Sequence, residues 1–201
     1  MHWEFYLGLE DDFLRASRYV DFSESNLTTH SQFFTQALAS ACLEFECVNK
    51  TIASVAEWHE IRNICDIKSL YDKKHKLIFS TQLQSLRGEW NIKPFSDWTN
   101  EERPIWWQAY NSIKHDRHNS SSNGNLQNAM YATGASYIAN LILANTEGGV
   151  STARVRNSPS KLFAIKSINN EGDSDHFLGS VLSHCELCLS KASVAAYQSS
   201  I

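Results

Sequence analysis

Phe34, Leu38, Ala41, Phe45, Val48 and Ile52 recur at alternating steps of four and three, and no other feature constrains the fold of this chain as strongly. A helix advances about 100° per residue, so these side chains make one apolar stripe roughly five turns long. Such a stripe must be covered, because helical stability in water comes mainly from packing an apolar face. The Ser, Thr and Asn residues between Asn26 and Ser31 supply N-caps for it.

The same periodicity predicts its partners. Tyr6, Leu9, Phe13, Ala16 and Val20 mark a first helix with acidic residues between them. Ile61, Ile64, Ile67 and Tyr71 mark a shorter third, ending in Lys73-Lys74-His75-Lys76, where cations suit the negative end of a helix. Thr99 to Glu102 has the form of a capping box, so a fourth helix is expected from near Asn100 to about Arg117, with Pro104 tolerated early in it. The polar run from His118 to Asn125 is a loop. Met130, Thr133, Tyr137, Leu141 and Ala144 predict a further helix, ended by Gly148-Gly149. Its small residues Ala132, Gly134, Ala135 and Ala139 allow another helix to approach closely.

Two stretches lack this pattern. Between Lys76 and Trp98, Leu77-Ile78-Phe79 reads as a short strand, followed by an aromatic connection containing Gly88, Trp90, Pro94 and Phe95. Beyond Val150, Leu162 to Ile165 reads as a short strand, Asn169 to Asp175 as a polar turn and Phe177 to Leu189 as a short helix. The expected fold is therefore mainly α, a bundle of four to five main helices with an irregular aromatic-rich insert and a less regular C-terminal tail. Residues 1–148 form the bundle, and 149–201 are an extension packed on the same domain.

Composition narrows the function. A chain of 201 residues with 42% apolar and 11% aromatic content suits one folded domain. Its net charge of −4 excludes a global positive field, so any phosphate binding must be local. Five cysteines without regular spacing point to a reducing compartment. The acidic N-terminal region is unlike a signal peptide, and no apolar run reaches the roughly 20 residues that span a bilayer. A cytoplasmic protein without membrane contact is expected. Cys185 and Cys188 have half a zinc-site spacing near His176 and His184, but no second ligand pair follows. No metal and no cofactor are expected.

One local cluster remains. Trp106-Trp107-Gln108-Ala109-Tyr110-Asn111-Ser112-Ile113-Lys114-His115-Asp116-Arg117-His118 runs bulky aromatics into imidazoles and cations. On a helical wheel, Trp106, Tyr110, Ile113 and Arg117 share one stripe, and Trp107, Asn111, Lys114, His115 and His118 gather beside it. Such a face suits acid–base or phosphate chemistry, and equally an amphipathic helix with a solvated side.

The order Tyr110-Asn111-Ser112-Ile113-Lys114-His115 resembles the signature of HEPN domains, an Arg often followed by Asn, then three or more residues and a His. Glu46-Cys47-Val48-Asn49-Lys50 is similar to acidic and basic positions flanking the family's cleft, and Tyr19-Val20-Asp21-Phe22 looks like one bacterial branch. The resemblance covers about residues 1–145. It implies a helical homodimer acting on RNA, a metal-independent endoribonuclease of a toxin–antitoxin or phage-defence system, with a cognate antitoxin or defence-system protein as partner. By the same resemblance His115, Asn111 and Arg117 are catalytic, while Lys114, His118, Tyr110, Glu46 and Lys50 bind substrate. Tyr110 stands where the family has arginine, removing a bidentate phosphate ligand. Losing such a stabiliser costs roughly a hundred- to a thousandfold in rate, unless Arg117 or Lys114 replaces it. The alternative is a non-catalytic dimerisation module that binds RNA, a nucleotide or a protein.

Overall fold

The computed structural model describes residues 1–88, 90–99 and 103–167. Helix α1 spans His2–Ala16, α2 Gln32–Val55, α3 Ile64–Lys74, α4 Ile105–His115, α5 Leu126–Glu147 and α6 Gly149–Asn157. Strands β1 (Gln82–Ser85), β2 (Asn91–Ile92) and β3 (Phe163–Ser167) form one antiparallel sheet in the order β2-β1-β3. The fold is mainly helical, as expected, with this small sheet added. The expected polar turn and helix beyond Asn169, and the His184 to Cys188 segment, lie outside the described residues.

The long stripe does what its length requires. Phe34, Leu38, Ala41, Phe45, Val48 and Ile52 are all buried, and α2 packs along α5 as the central pair of the molecule. Ser31 caps α2 by accepting from the Phe34 amide at 3.1 Å. Helices α1 and α4 close the sides of this pair, each touching both members. Helix α5 is buried on nearly every face, from Leu126 to Ala144. Its small residues receive two different neighbours. Ser136 Oγ donates to the Ala41 carbonyl of α2 at 2.7 Å. At Gly134, however, it is the sheet and not a helix that approaches: a Cβ there would stand 2.8 Å from Ile92 Cδ1 and 3.0 Å from Leu83 Cδ1.

The aromatic insert is a wall of the core. Phe45 lies with ring centroids 5.2 Å from Trp106, 5.9 Å from Phe95, 6.3 Å from Tyr71 and 6.4 Å from Trp98. Trp106 Nε1 donates to the Pro94 carbonyl at 2.8 Å, so the insert and α4 are tied together as well as packed. Leu77-Ile78-Phe79 is a 3-10 turn within Lys76–Ser80, not a strand. Strand pairing starts at Gln82, where Leu83 alternates inward and meets Ile92 on one side and Ile165 on the other. Gly88 turns β1 toward β2 with φ +74, and a Cβ there would meet the Phe22 carbonyl oxygen at 2.1 Å, so no other residue fits.

Helix α4 begins at Ile105, later than the expected Asn100. Thr99 belongs to the preceding turn, its hydroxyl donating to the Ser96 carbonyl, and Pro104 is the N-cap. The cap comes from further back, since Asp97 Oδ2 accepts from the Ile105 amide at 2.6 Å. The Thr99–Glu102 box itself lies partly outside the described residues. Helix α1 stops at Ala16, before Val20, and its surprise is Glu10, which is buried at 2% exposure. That carboxylate accepts from the Tyr6 hydroxyl, from Ser160 Oγ and from the amides of Lys161 and Leu162, pinning the chain ahead of β3 onto α1.

Burial of protonated acids makes the fold sensitive to alkali. Tyr6 and Tyr71 are fully buried, which pushes both phenols well above their ordinary range, with the Glu10 charge adding to the effect at Tyr6. Burial likewise pushes the Cys42 thiol well up. A group whose pKa is raised on folding keeps its full contribution below its unfolded pKa and loses it as pH climbs toward the folded one. Above the unfolded values of about 8.5 for the thiol and 10 for the phenols, each group is expected to cost about 1.4 kcal/mol of stability per pH unit. Urea midpoints at about pH 8 and about pH 11 check this. A midpoint that does not move would show that these groups titrate in the folded state.

Candidate nucleic-acid interface

Helix α4 divides its residues by burial. Trp106, Trp107, Ala109 and Ile113 face the core, Tyr110 and Asn111 lie at the margin, and Gln108, Ser112, Lys114 and His115 are exposed. Trp107 therefore does not join the polar face where the wheel put it. Its indole packs edge-on against Tyr110 at 5.6 Å and lies 6.5 Å from Phe45, because an indole loses more by exposure than the wheel's angle suggests.

Tyr110 stands at the seam between α2 and α4, with Lys114 against its ring and Cys42 and Glu46 of α2 nearby. Lys114 Nζ sits 5.9 Å from the Tyr110 ring centroid, a cation–π contact. Burial pushes the Tyr110 phenol above its ordinary range, with the nearby Cys42 and Glu46 adding to it, so the ring at the arginine position stays neutral. Glu46 Oε1 accepts from Lys50 Nζ at 2.6 Å. That hydrogen bond raises the Lys50 ammonium, and its charge is directed along α2 toward its own neighbour. Cys42 and Trp107 complete this seam, and neither was singled out as a site residue. The signal for Cys42 was present, since it lies one turn before Glu46 on the same helix face.

The remaining candidates lie at the C-terminal end of α4. Asn111 and His115 are one turn apart on the same face, as their spacing requires. Asp116 ends the helix with φ −147 and ψ 79. Arg117 and His118 thus fall on the turn beyond, so Arg117 does not continue the stripe of Tyr110 as helical periodicity predicts. The Asp116 carboxylate faces its own loop: Asn119 donates to it from its side chain at 2.7 Å and from its backbone amide at 3.2 Å, holding the acid below its ordinary range. The loop is anchored in turn, since Gly124 O accepts from the Ser31 amide and Asn125 caps α5.

Lys114, His115, Arg117 and His118 are all exposed, and among the described residues none is ion-paired to a carboxylate. Elsewhere Arg15, Lys50, Arg62 and Arg154 all have acidic partners. Lys73, Lys74 and Lys76 at the end of α3 are exposed as well, as expected of a solvated helix end. The end of α4 differs in combining cations with two imidazoles and a side-chain amide. Such a patch can bind an anion and, through His115, exchange a proton with it. Compared with models of protein families, with curated proteins and with solved structures, the chain finds no match.

Proposed function

We propose that this chain is an HEPN-like module that acts on RNA as a cytoplasmic homodimer, binding phosphate with the end of α4. One observation carries the reading: Lys114, His115, Arg117 and His118 are exposed on either side of Asp116, whose carboxylate is turned to Asn119, and among the described residues none of the four is ion-paired. Unpaired cations keep their attraction for phosphate, and bound counterions leave when RNA arrives. Binding is favoured over cleavage. The arginine position holds a half-buried neutral phenol, and Lys50 is bound to Glu46. The same chemistry fits a module held by an antitoxin or a defence-system partner.

Cleavage is the second reading, and the spacing of Asn111 and His115 on one face favours it. There His115 would take the proton of a ribose 2′-hydroxyl as that oxygen attacks the adjacent phosphorus and the 5′-oxygen leaves, taking a proton from water to become a 5′-hydroxyl and giving a 2′,3′-cyclic phosphate. Arg117 of a second copy would supply the missing guanidinium.

Binding of fluorescein-labelled single-stranded RNA, followed by anisotropy between about 50 and 200 mM salt, tests the first reading. The Lys114→Ala, Arg117→Ala double variant is expected to weaken binding and to lower the log–log salt slope by about 1.4, or about 0.7 for each lost phosphate contact. An unchanged slope would remove the α4 end from the interface. Incubating an RNA pool in excess EDTA beside His115→Ala separates the second reading. Cyclic phosphate ends made only by the parent would establish cleavage.

A further inference from the structure

Tyr110 is held from the core side. The indole of Trp107, itself buried, packs edge-on against its ring at 5.6 Å. Cys42, also buried, and Glu46 of α2 lie close enough to act on its phenol. The residue as a whole is only half-buried, so the rest of its ring reaches solvent.

The open side is the one beneath Lys114. That lysine is exposed, has no acidic partner among the described residues, and stands with Nζ over the ring, 5.9 Å from its centroid. Such a distance is near the limit of a cation–π contact, roughly 6 Å, and the flexible stem of a lysine lets its ammonium swing away. Glu46 does not keep an anion off this side, because Lys50 donates to it at 2.6 Å.

Proteins that hold an unstacked base combine a flat π-face with a positive charge for the adjoining phosphate. Tyr110 and Lys114 supply both one turn apart on α4. We propose that Tyr110 is a stacking platform for a nucleobase, and that the phosphate of the same nucleotide draws Lys114 off the ring. This rests on the reading of the α4 end as a phosphate-binding interface and gives that interface a residue for the base. The ring makes the stack, and the phenolic hydroxyl, turned to α2, takes no part in it.

The test uses the full chain with ¹³C-labelled tyrosine rings, titrated with adenosine 5′-monophosphate and with ribose 5-phosphate. The nucleotide should shift both the Tyr110 ring and the backbone amides of Lys114 and His115. Ribose 5-phosphate should shift the amides alone and bind about tenfold more weakly, the loss of one base stack. Tyr110→Ala should abolish the advantage of the nucleotide over ribose 5-phosphate, and Tyr110→Phe, which keeps the ring, should retain it. The proposal is overturned if the two probes bind the parent equally, if Tyr110→Ala keeps the advantage, or if Tyr110→Phe loses it. When ribose 5-phosphate shifts the amides and the nucleotide gains nothing, stacking alone fails. When neither probe shifts the amides, the phosphate-binding reading of the α4 end fails with it.

Discussion

Glu10→Ala is expected to lower the unfolding free energy by about 3 kcal/mol. The truncation leaves the Tyr6 hydroxyl, Ser160 Oγ and the Lys161 and Leu162 amides without their common acceptor. Ser160 Oγ recovers part of the loss, because it also receives the Leu162 and Phe163 amides at 3.2 and 3.0 Å. Glu10→Gln keeps one carbonyl oxygen and should cost about 1–2 kcal/mol. The damage should begin locally: β3 amides should exchange faster with solvent before α2 or α5 loosens. Urea unfolding with amide exchange measures both. A cost of Glu10→Ala below about 0.5 kcal/mol, the range of an ordinary surface substitution, would mean that the carboxylate does not hold the C-terminal segment.

Phe45→Ala should cost still more, about 3–5 kcal/mol. Phe45 is fully buried, and the rings of Tyr71, Phe95, Trp98, Trp106 and Trp107 surround it. Those rings belong to α3, the insert and α4, so a cavity at Phe45 cannot be filled by moving one neighbour. Phe45→Leu, which keeps most of the volume, should cost no more than about 1.5 kcal/mol. Because Trp106 and Trp107 pack α4 on this ring, the proposed function adds an expectation: Phe45→Ala should also weaken whatever RNA binding Lys114 and Arg117 give, although it touches neither. Urea midpoints, near-ultraviolet circular dichroism and RNA anisotropy report the three effects. If Phe45→Ala and Phe45→Leu proved equally stable, the ring cluster would not be the keystone of the insert.

Part of the candidate site's geometry was legible because it is local. Asn111 and His115 are one turn apart whatever the tertiary structure, and Glu46 and Lys50 pair for the same reason. Arg117 was misplaced because a wheel assumes that the helix continues, whereas Asp116 and Asn119 close a loop there. Trp107 was misplaced because the wheel assigns a direction and not a neighbour.

The same distinction separates what the sequence alone determined from what only tertiary structure decided. Apolar periodicity, N-caps such as Ser31 and the Gly148 stop are properties of consecutive residues, so they set the helices and their buried faces. Which elements meet depends on contacts between residues far apart in the chain, and no local pattern encodes those. Gly134 was readable as a place of close approach, yet only the packed chain decided that Leu83 and Ile92 would occupy it. Glu10 reads as a surface acid among acids until residues 160–162 bring it the donors that make burial tolerable.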